Sequence, residues 1–305
     1  MHNQKAKSLA DAIGVITYNM TNDFLFRYIL QKNEKVLRGL ICALLHLKPK
    51  QIRSITITNP INLAENITGK DFILDINIEL NNDTYINLEM QVVNKHNWPD
   101  RSLSYLCRNY DNLYQGQDYE EARPVYHIGF LDFTLFPDKP EFYATYKMLN
   151  VKNHHTYSDK FVLSVVDLSK IELATEEDDA CGLTYWARLF KATTWEELKM
   201  LAKGNEYLEA AAESIFMANA DDIIQQKCRA RQEAERYERT IARDMLRLKE
   251  ENAQLNTNIA QLTTDNAQLA TDNAKLATYI QNMESQMEQM ATMIRDLQKQ
   301  LNKEP

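Results

Sequence analysis

The chain has 305 residues, 44% hydrophobic and 26% charged, which suffices for one sizeable core plus an extension and is too apolar for a disordered protein. A formal net charge of −8 excludes a protein that coats nucleic acid by bulk electrostatics, so any such contact has to be local. The 7 glycines form neither a GxGxxG nor a GxxxxGKS/T pattern, which excludes a phosphate cradle and a nucleotide cofactor, and the 4 cysteines form no CxxC pair that would make a zinc knuckle or a disulfide framework.

The opening MHNQKAKSLA lacks the apolar stretch of a signal peptide, and no run approaches the ~20 apolar residues that cross a bilayer. A cytoplasmic protein with no membrane association is expected. Cys42, Cys107, Cys181 and Cys228 read as small buried hydrophobes. Helical spacing of apolar residues predicts helices over 23–29 and 34–47, with Thr21 and Asn22 as caps. After the strand-like IRSITIT come two alternating segments, 71–80 and 84–93, separated by Asn81, Asn82 and Asp83, which is a hairpin signature. A helix is predicted to start at Pro99 and stop at Gly116. The apolar runs over 125–133 and 161–167 read as central strands, and helices follow from 183 onward. The class is α/β.

The last stretch has the clearest periodicity. Every seventh residue from Ile241 gives Leu248, Leu255, Leu262, Leu269, Leu276, Met283, Met290 and Leu297, an unbroken d register. The matching a positions are Met245, Asn252, Ile259, Asn266, Asn273, Ile280, Met287, Ile294 and Leu301. Leu at d with Ile and Asn at a favours a parallel homodimer in fixed register, because a buried Asn pairs best with its twin. A seam of about 90 Å at 1.5 Å per residue also exceeds the face of one domain. The expected organisation is a globular domain over 1–215 with a helical C-terminal part, a charged helical connector over 216–240, and a coiled coil over 241–305.

The hairpin carries the chemistry. Strand side chains alternate faces, so Phe72, Leu74, Ile76, Ile78 and Leu80 share one face with Ile86, Leu88, Met90 and Val92 across the turn. A three-residue loop pairs Leu80 with Thr84, and counting back sets Asp75 opposite Glu89, with Gln91 on the same face. Two carboxylates directly opposed on a sheet repel unless a positive charge lies between them. Magnesium, or manganese in its place, suits two carboxylates open to solvent and substrate. The competing reading is an ordinary solvated sheet face, since Asn77, Glu79 and Asn87 also lie on it.

The ordered strings LDINIEL, TYINLEMQV, RSLSYLCRNYDNLYQGQDY and ARPVYHIGFLDFTLF resemble the recombination-promoting nuclease and transposase group of the PD-(D/E)xK superfamily over about residues 20–135, and more weakly to about 215. The resemblance implies a restriction-endonuclease-like four-stranded mixed sheet flanked by helices, with the motif on a hairpin, and a metal-dependent DNA endonuclease. It implies Asp75 and Glu89 as metal-binding and catalytic carboxylates, with the Met90 carbonyl as a further ligand. Gln91 stands where the motif has lysine; glutamine carries no charge and can only orient a water or a phosphate. Lys70 is a candidate source of the missing positive charge, against the reading of a solvated turn lysine. Asp23 matches an accessory acidic position, with helix capping as its competitor. Arg101 and Tyr105 are four apart on one helix face, and their match to the family's spacing implies a phosphate contact for Arg101 and a positioning role for Tyr105, with core packing the alternative for the tyrosine. The adjacent His154 and His155 suit no chelating geometry and read as a polar loop.

Two other functions compete. The basic run Lys227, Arg229, Arg231, Arg236, Arg239, Arg243 and Arg247 suggests a zipper-type DNA-binding factor, but Glu233, Glu235, Glu238 and Asp244 interleave with it, and a solvated helix laced with ion pairs fits better. A catalytically inactive nuclease fold, dimerised as a DNA-binding or scaffold protein, is kept open by Gln91.

Overall fold

The computed structural model describes residues 7–59, 75–111 and 117–301. Two compact units divide at residue 242: Met1–Ala242 and Arg243–Pro305.

The first unit is a six-stranded mixed sheet with flanking helices, in the order β1-β2-β3-β4-β6-β5. The strands are β1 (Ile55–Ile57), β2 (Ile76–Leu80), β3 (Thr84–Gln91), β4 (Val125–Leu131), β5 (Tyr143–Leu149) and β6 (Thr156–Asp167). Two central pairs, β3 with β4 and β4 with β6, are parallel; the outer pairs are antiparallel. The resemblance led to four strands. The short β1 and the edge strand β5 extend that sheet on either side.

The hairpin register is the one parity requires, with Leu80 opposite Thr84 and the ladder closing at Ile76 opposite Leu88. Asn81 and Asn82 take φ of 55° and 60°, a left-handed conformation that Asn tolerates better than most residues. Residues 71–74 of the expected first strand lie outside the described residues.

On one face Ile76, Ile78, Ile86, Leu88, Met90, Ile128 and Phe130 are all buried. Helices α1 (Asp23–Lys32), α2 (Glu34–Leu45), α5 (Leu183–Lys191) and α7 (Glu206–Ala220) contribute to the same core. Phe26 from α1, Phe130 from β4 and Phe190 from α5 meet with ring centroids 5.4 to 5.6 Å apart. Asn22 alone caps α1, its side chain accepting from the Leu25 amide at 3.1 Å. Thr21, the other expected cap, turns back to Asn19, its hydroxyl 2.6 Å from Oδ1.

The opposite face is covered by α3 (Trp98–Tyr110), which starts one residue before the expected Pro99; Gly116 lies outside the described residues. Trp98 packs closely against Gly129 of β4, where a Cβ would come within 2.0 Å of the indole. His154 and His155 sit exposed in the β5–β6 turn. Cys228 is buried as expected of a small hydrophobe, whereas Cys107 is exposed on α3. No helix among the described residues is long and apolar enough to cross a membrane.

After α4 (Glu176–Ala180) and α6 (Trp195–Ala202), the described residues close with α8 (Asp222–Leu301), 80 residues long. Its early turns bury Ile224, Lys227, Cys228, Arg231 and Glu235, one face at helical spacing. The solvated-helix reading therefore fails here, although Arg229 and Arg247 do make exposed ion pairs with Glu233 and Glu251. Within the second unit the d residues from Leu248 to Leu297 stay uncovered in the single chain, between 45% exposed at Met283 and 61% at Leu262.

Candidate active site

The carboxyl end of β3 and the residue just before β2 carry the two candidate carboxylates. Asp75 immediately precedes β2 and Glu89 follows Leu88 in β3, so each lies one residue beyond the last pair of the ladder, Ile76 opposite Leu88. Both are buried, at 6% and 4% exposed, as are Asn87 and Gln91 beside them. This face is therefore no solvated surface. The competing reading of a solvated face fails at these four positions, where Arg101 of α3 reaches Glu89, while Asn77 and Glu79 further along the face are half-buried.

Asp75 is partnered by a neutral amide donor and Glu89 by a cation. Asp75 Oδ2 accepts from Asn87 Nδ2 at 2.7 Å, and the same amide donates to Asn77 Oδ1 at 2.6 Å. The Asp75 carbonyl accepts from Asn59 Nδ2 at 3.1 Å. Glu89 Oε1 lies 2.7 Å from Arg101 Nη2. Burial raises the Glu89 pKa above the usual carboxylate range; the Arg101 guanidinium opposes the shift, and Asp75 and Asp23 add to it. Gln91 donates through Nε2 to the Val93 carbonyl at 2.9 Å. Met90 points its side chain into the core on the other face, opposite Phe130. Lys70 lies outside the described residues.

Arg101 reaches the site from α3 with its guanidinium 5.2 Å above the Tyr105 ring. That spacing suits a cation–π contact and follows from the four-residue separation on the helix. Tyr105 in turn stacks on His127 of β4, with centroids 6.1 Å apart. His127 is fully buried, and burial with Arg101 nearby lowers its pKa to about 3, so the imidazole is neutral at physiological pH.

Asp23 is held by a different cation. Arg231 Nε donates to both Asp23 oxygens at 2.7 Å, and Nη2 lies 2.6 Å from Oδ2. Burial raises the Asp23 pKa, against the opposing pull of Arg231. Arg231 also donates to Glu238 at 3.1 Å, and Glu238 pairs with Lys95 at 3.1 Å, in the loop between β3 and α3. The early turns of α8 thus tie the start of α1 to the end of β3. One turn beyond Asp23, buried Arg27 donates to the Asn59 carbonyl, and the Asp75 charge acts on it.

Sequence reasoning missed Arg27, Asn87 as a buried partner, His127 and Arg231. Arg27 had a signal, since it stands four residues from Asp23 on the same helix face. Asn87 shares its strand face with Glu89. Arg231 had none, being 208 residues from its partner.

Among the described residues no three His, Cys, Asp or Glu side chains cluster as a ready metal site. The donors around Glu89 nevertheless fit a hard cation. Glu89 Oε2 and Gln91 Oε1 are buried oxygens without a hydrogen-bond partner, and acceptor atoms left in that state are costly unless something positive satisfies them.

The family model for PD-(D/E)XK nuclease family transposases matches residues 20–244, three quarters of the chain. The chain belongs to this family. The match runs well past the 20–135 span of clear motif resemblance and takes in Arg231, Glu235 and Glu238 on α8. A PD-(D/E)XK assignment supports a nuclease-type function with DNA as the implied substrate, and nucleases of this superfamily generally use divalent metals. No curated protein and no solved structure matches the chain.

Proposed function

We propose that the chain is a magnesium-dependent DNA endonuclease, with manganese able to serve in its place, that works in the cytoplasm as a homodimer joined through its C-terminal coiled coil. The observation that carries this reading is the burial of Asp75 and Glu89 next to the end of the β2–β3 ladder, with the unpartnered oxygens of Glu89 and Gln91 beside them. Asp75 and Glu89 would hold the cation, with the Gln91 amide oxygen and the Met90 carbonyl as further donors. A divalent cation bound there would lower the pKa of a water and offset charge on a phosphodiester. The protein's own groups do the rest. Gln91 orients a water or phosphate oxygen without supplying charge. Arg101, a third exposed, is a cation placed to reach a phosphate, and Tyr105 steadies it. Asp23, tied up by Arg231, acts on the site by position and field.

Dimerisation is supported by the uncovered seam. Leu at d and Asn252, Ile259, Asn266 and Asn273 at a favour a parallel pair. Such a pair would put two sites on one duplex and permit double-strand breaks.

One observation favours a binding-only reading: Arg101 already neutralises Glu89, and Gln91 replaces a charged residue. Cleavage of supercoiled plasmid by purified protein in Mg²⁺, in EDTA and with Asp75→Ala decides between the two. Metal-dependent cutting that vanishes in Asp75→Ala is expected. Equal cutting by both proteins points to a contaminant, and none by either leaves the binding module.

A further inference from the structure

Arg101 does two jobs that exclude each other in one geometry. Its Nη2 lies 2.7 Å from Glu89 Oε1, while the reading above, on which this inference rests, needs Glu89 free for a cation and Arg101 free for a phosphate. We propose that Arg101 is a placeholder cation: it neutralises Glu89 until a divalent ion takes the carboxylate, and the displaced guanidinium then engages the DNA backbone.

Three features of the site support the exchange. Glu89 is 4% exposed, and a buried carboxylate stays ionised only beside a positive neighbour, so the ionised form that a divalent ion needs is the form Arg101 holds ready. Glu89 keeps Oε2 buried and unpartnered, so Arg101 uses one oxygen and leaves a foothold for an incoming ion. Arg101 Nε is likewise buried without a partner, so the guanidinium is incompletely satisfied where it is, unlike Arg231, which spends its donors on Asp23 and Glu238. A destination exists as well: the Tyr105 ring lies 5.2 Å from the guanidinium, and the side chain is 34% exposed, so it can pivot over the ring toward solvent without leaving the cation–π contact.

The exchange makes the order of binding a property of the site. Before the ion arrives, the phosphate-binding guanidinium is occupied internally and backbone affinity is low. Ion and DNA then favour each other reciprocally, as linked ligands must.

The test uses the full chain. Mn²⁺ uptake is measured by titration calorimetry at pH 8, and affinity for a fluorescein-labelled duplex by anisotropy with and without Ca²⁺, a probe chosen to limit cutting. Wild type, Arg101→Met, Arg101→Lys and Asp75→Ala are compared, with tryptophan fluorescence reporting folding. Removing the competitor should tighten Mn²⁺ binding about tenfold in Arg101→Met, the size of one charge-assisted hydrogen bond. Arg101→Lys, a single-point donor without the fork, should fall between and covers the case in which the methionine variant misfolds. Ca²⁺ should strengthen duplex binding about tenfold in wild type and by less than about threefold in Arg101→Met. Equal Mn²⁺ affinities in wild type and both Arg101 variants overturn the exchange while leaving the endonuclease reading intact. Mn²⁺ uptake that is absent in wild type, or unchanged in Asp75→Ala, overturns both.

Discussion

Replacing Arg231 by methionine should destabilise the first unit by about 3 to 4 kcal/mol. The Arg231 and Asp23 side chains are 9% and 3% exposed, so the change strands a carboxylate away from water, a class of substitution that costs about 3–5 kcal/mol. Protonation sets the ceiling. An ordinary aspartate with a pKa of 3.8 becomes neutral at pH 7 for about 4 kcal/mol at 1.36 kcal/mol per unit, so Asp23 would fold protonated rather than cost more. Glu235 and Glu238 lose the same partner, which keeps the loss near that ceiling. The assay is urea unfolding followed by fluorescence. Trp98, Trp186 and Trp195 are the chain's 3 tryptophans and are all buried in the first unit, so the signal is blind to the coiled coil. Asp23→Asn combined with Arg231→Met should restore part of the loss, because the stranded charge is gone. A loss under about 1 kcal/mol for Arg231→Met, or a double variant no better than the single, refutes the argument that this pair organises the site.

Other outcomes follow from the same geometry. Gly129→Ala should cost at least about 1–3 kcal/mol, since its Cβ would fall 2.0 Å from the Trp98 indole; an unchanged urea midpoint with unshifted tryptophan emission would contradict the packing. Burial, with Asp23 adding to it, pushes the Glu235 pKa up to about 7 from an ordinary 4.5. The folded chain therefore holds a proton there that the unfolded chain releases, so this contribution to stability is full below pH 4.5 and lost as pH rises through about 7. Glu235→Gln should flatten that slope in urea titrations, and an identical slope would rule the assignment out. Truncation after residue 242 should give a monomer by light scattering that still unfolds cooperatively, whereas a persistent dimer would remove the role given to the seam. Asn266→Leu in the full chain should raise the melting temperature of the coil while admitting other oligomers, and an unmixed dimer would mean that the Asn layers do not set the number of strands.

The hairpin was legible because two independent signals, apolar residues at even positions and a turn rich in Asn and Asp, demand the same register. The fate of its polar face was not, because solvation of a strand face depends on what lies above it. Asn87 is fully buried beside His127 of β4, on the sheet face that α3 packs against through β4 and β6. The edge strand β5 escaped notice since YATYKML shows five exposed residues and no sustained alternation of apolar and polar. Arg231 sits in a run where acids and bases alternate, and nothing local separates the one arginine that turns inward from those that face water. Tertiary context decides that, and it comes from α1, 208 residues earlier.

The carboxylate rung stands just beyond the last paired residues of the β2–β3 ladder. Repulsion between Asp75 and Glu89 therefore falls outside the paired rungs of β2 and β3, and Asn87 and Arg101 offset it. Asn87 and Arg101 thus give each carboxylate a protein partner of its own. Under the proposed function, folding is expected to be separable from metal binding, unlike small domains whose folding energy is their metal affinity, and the ion would act as a switch of competence and not as a part of the fold.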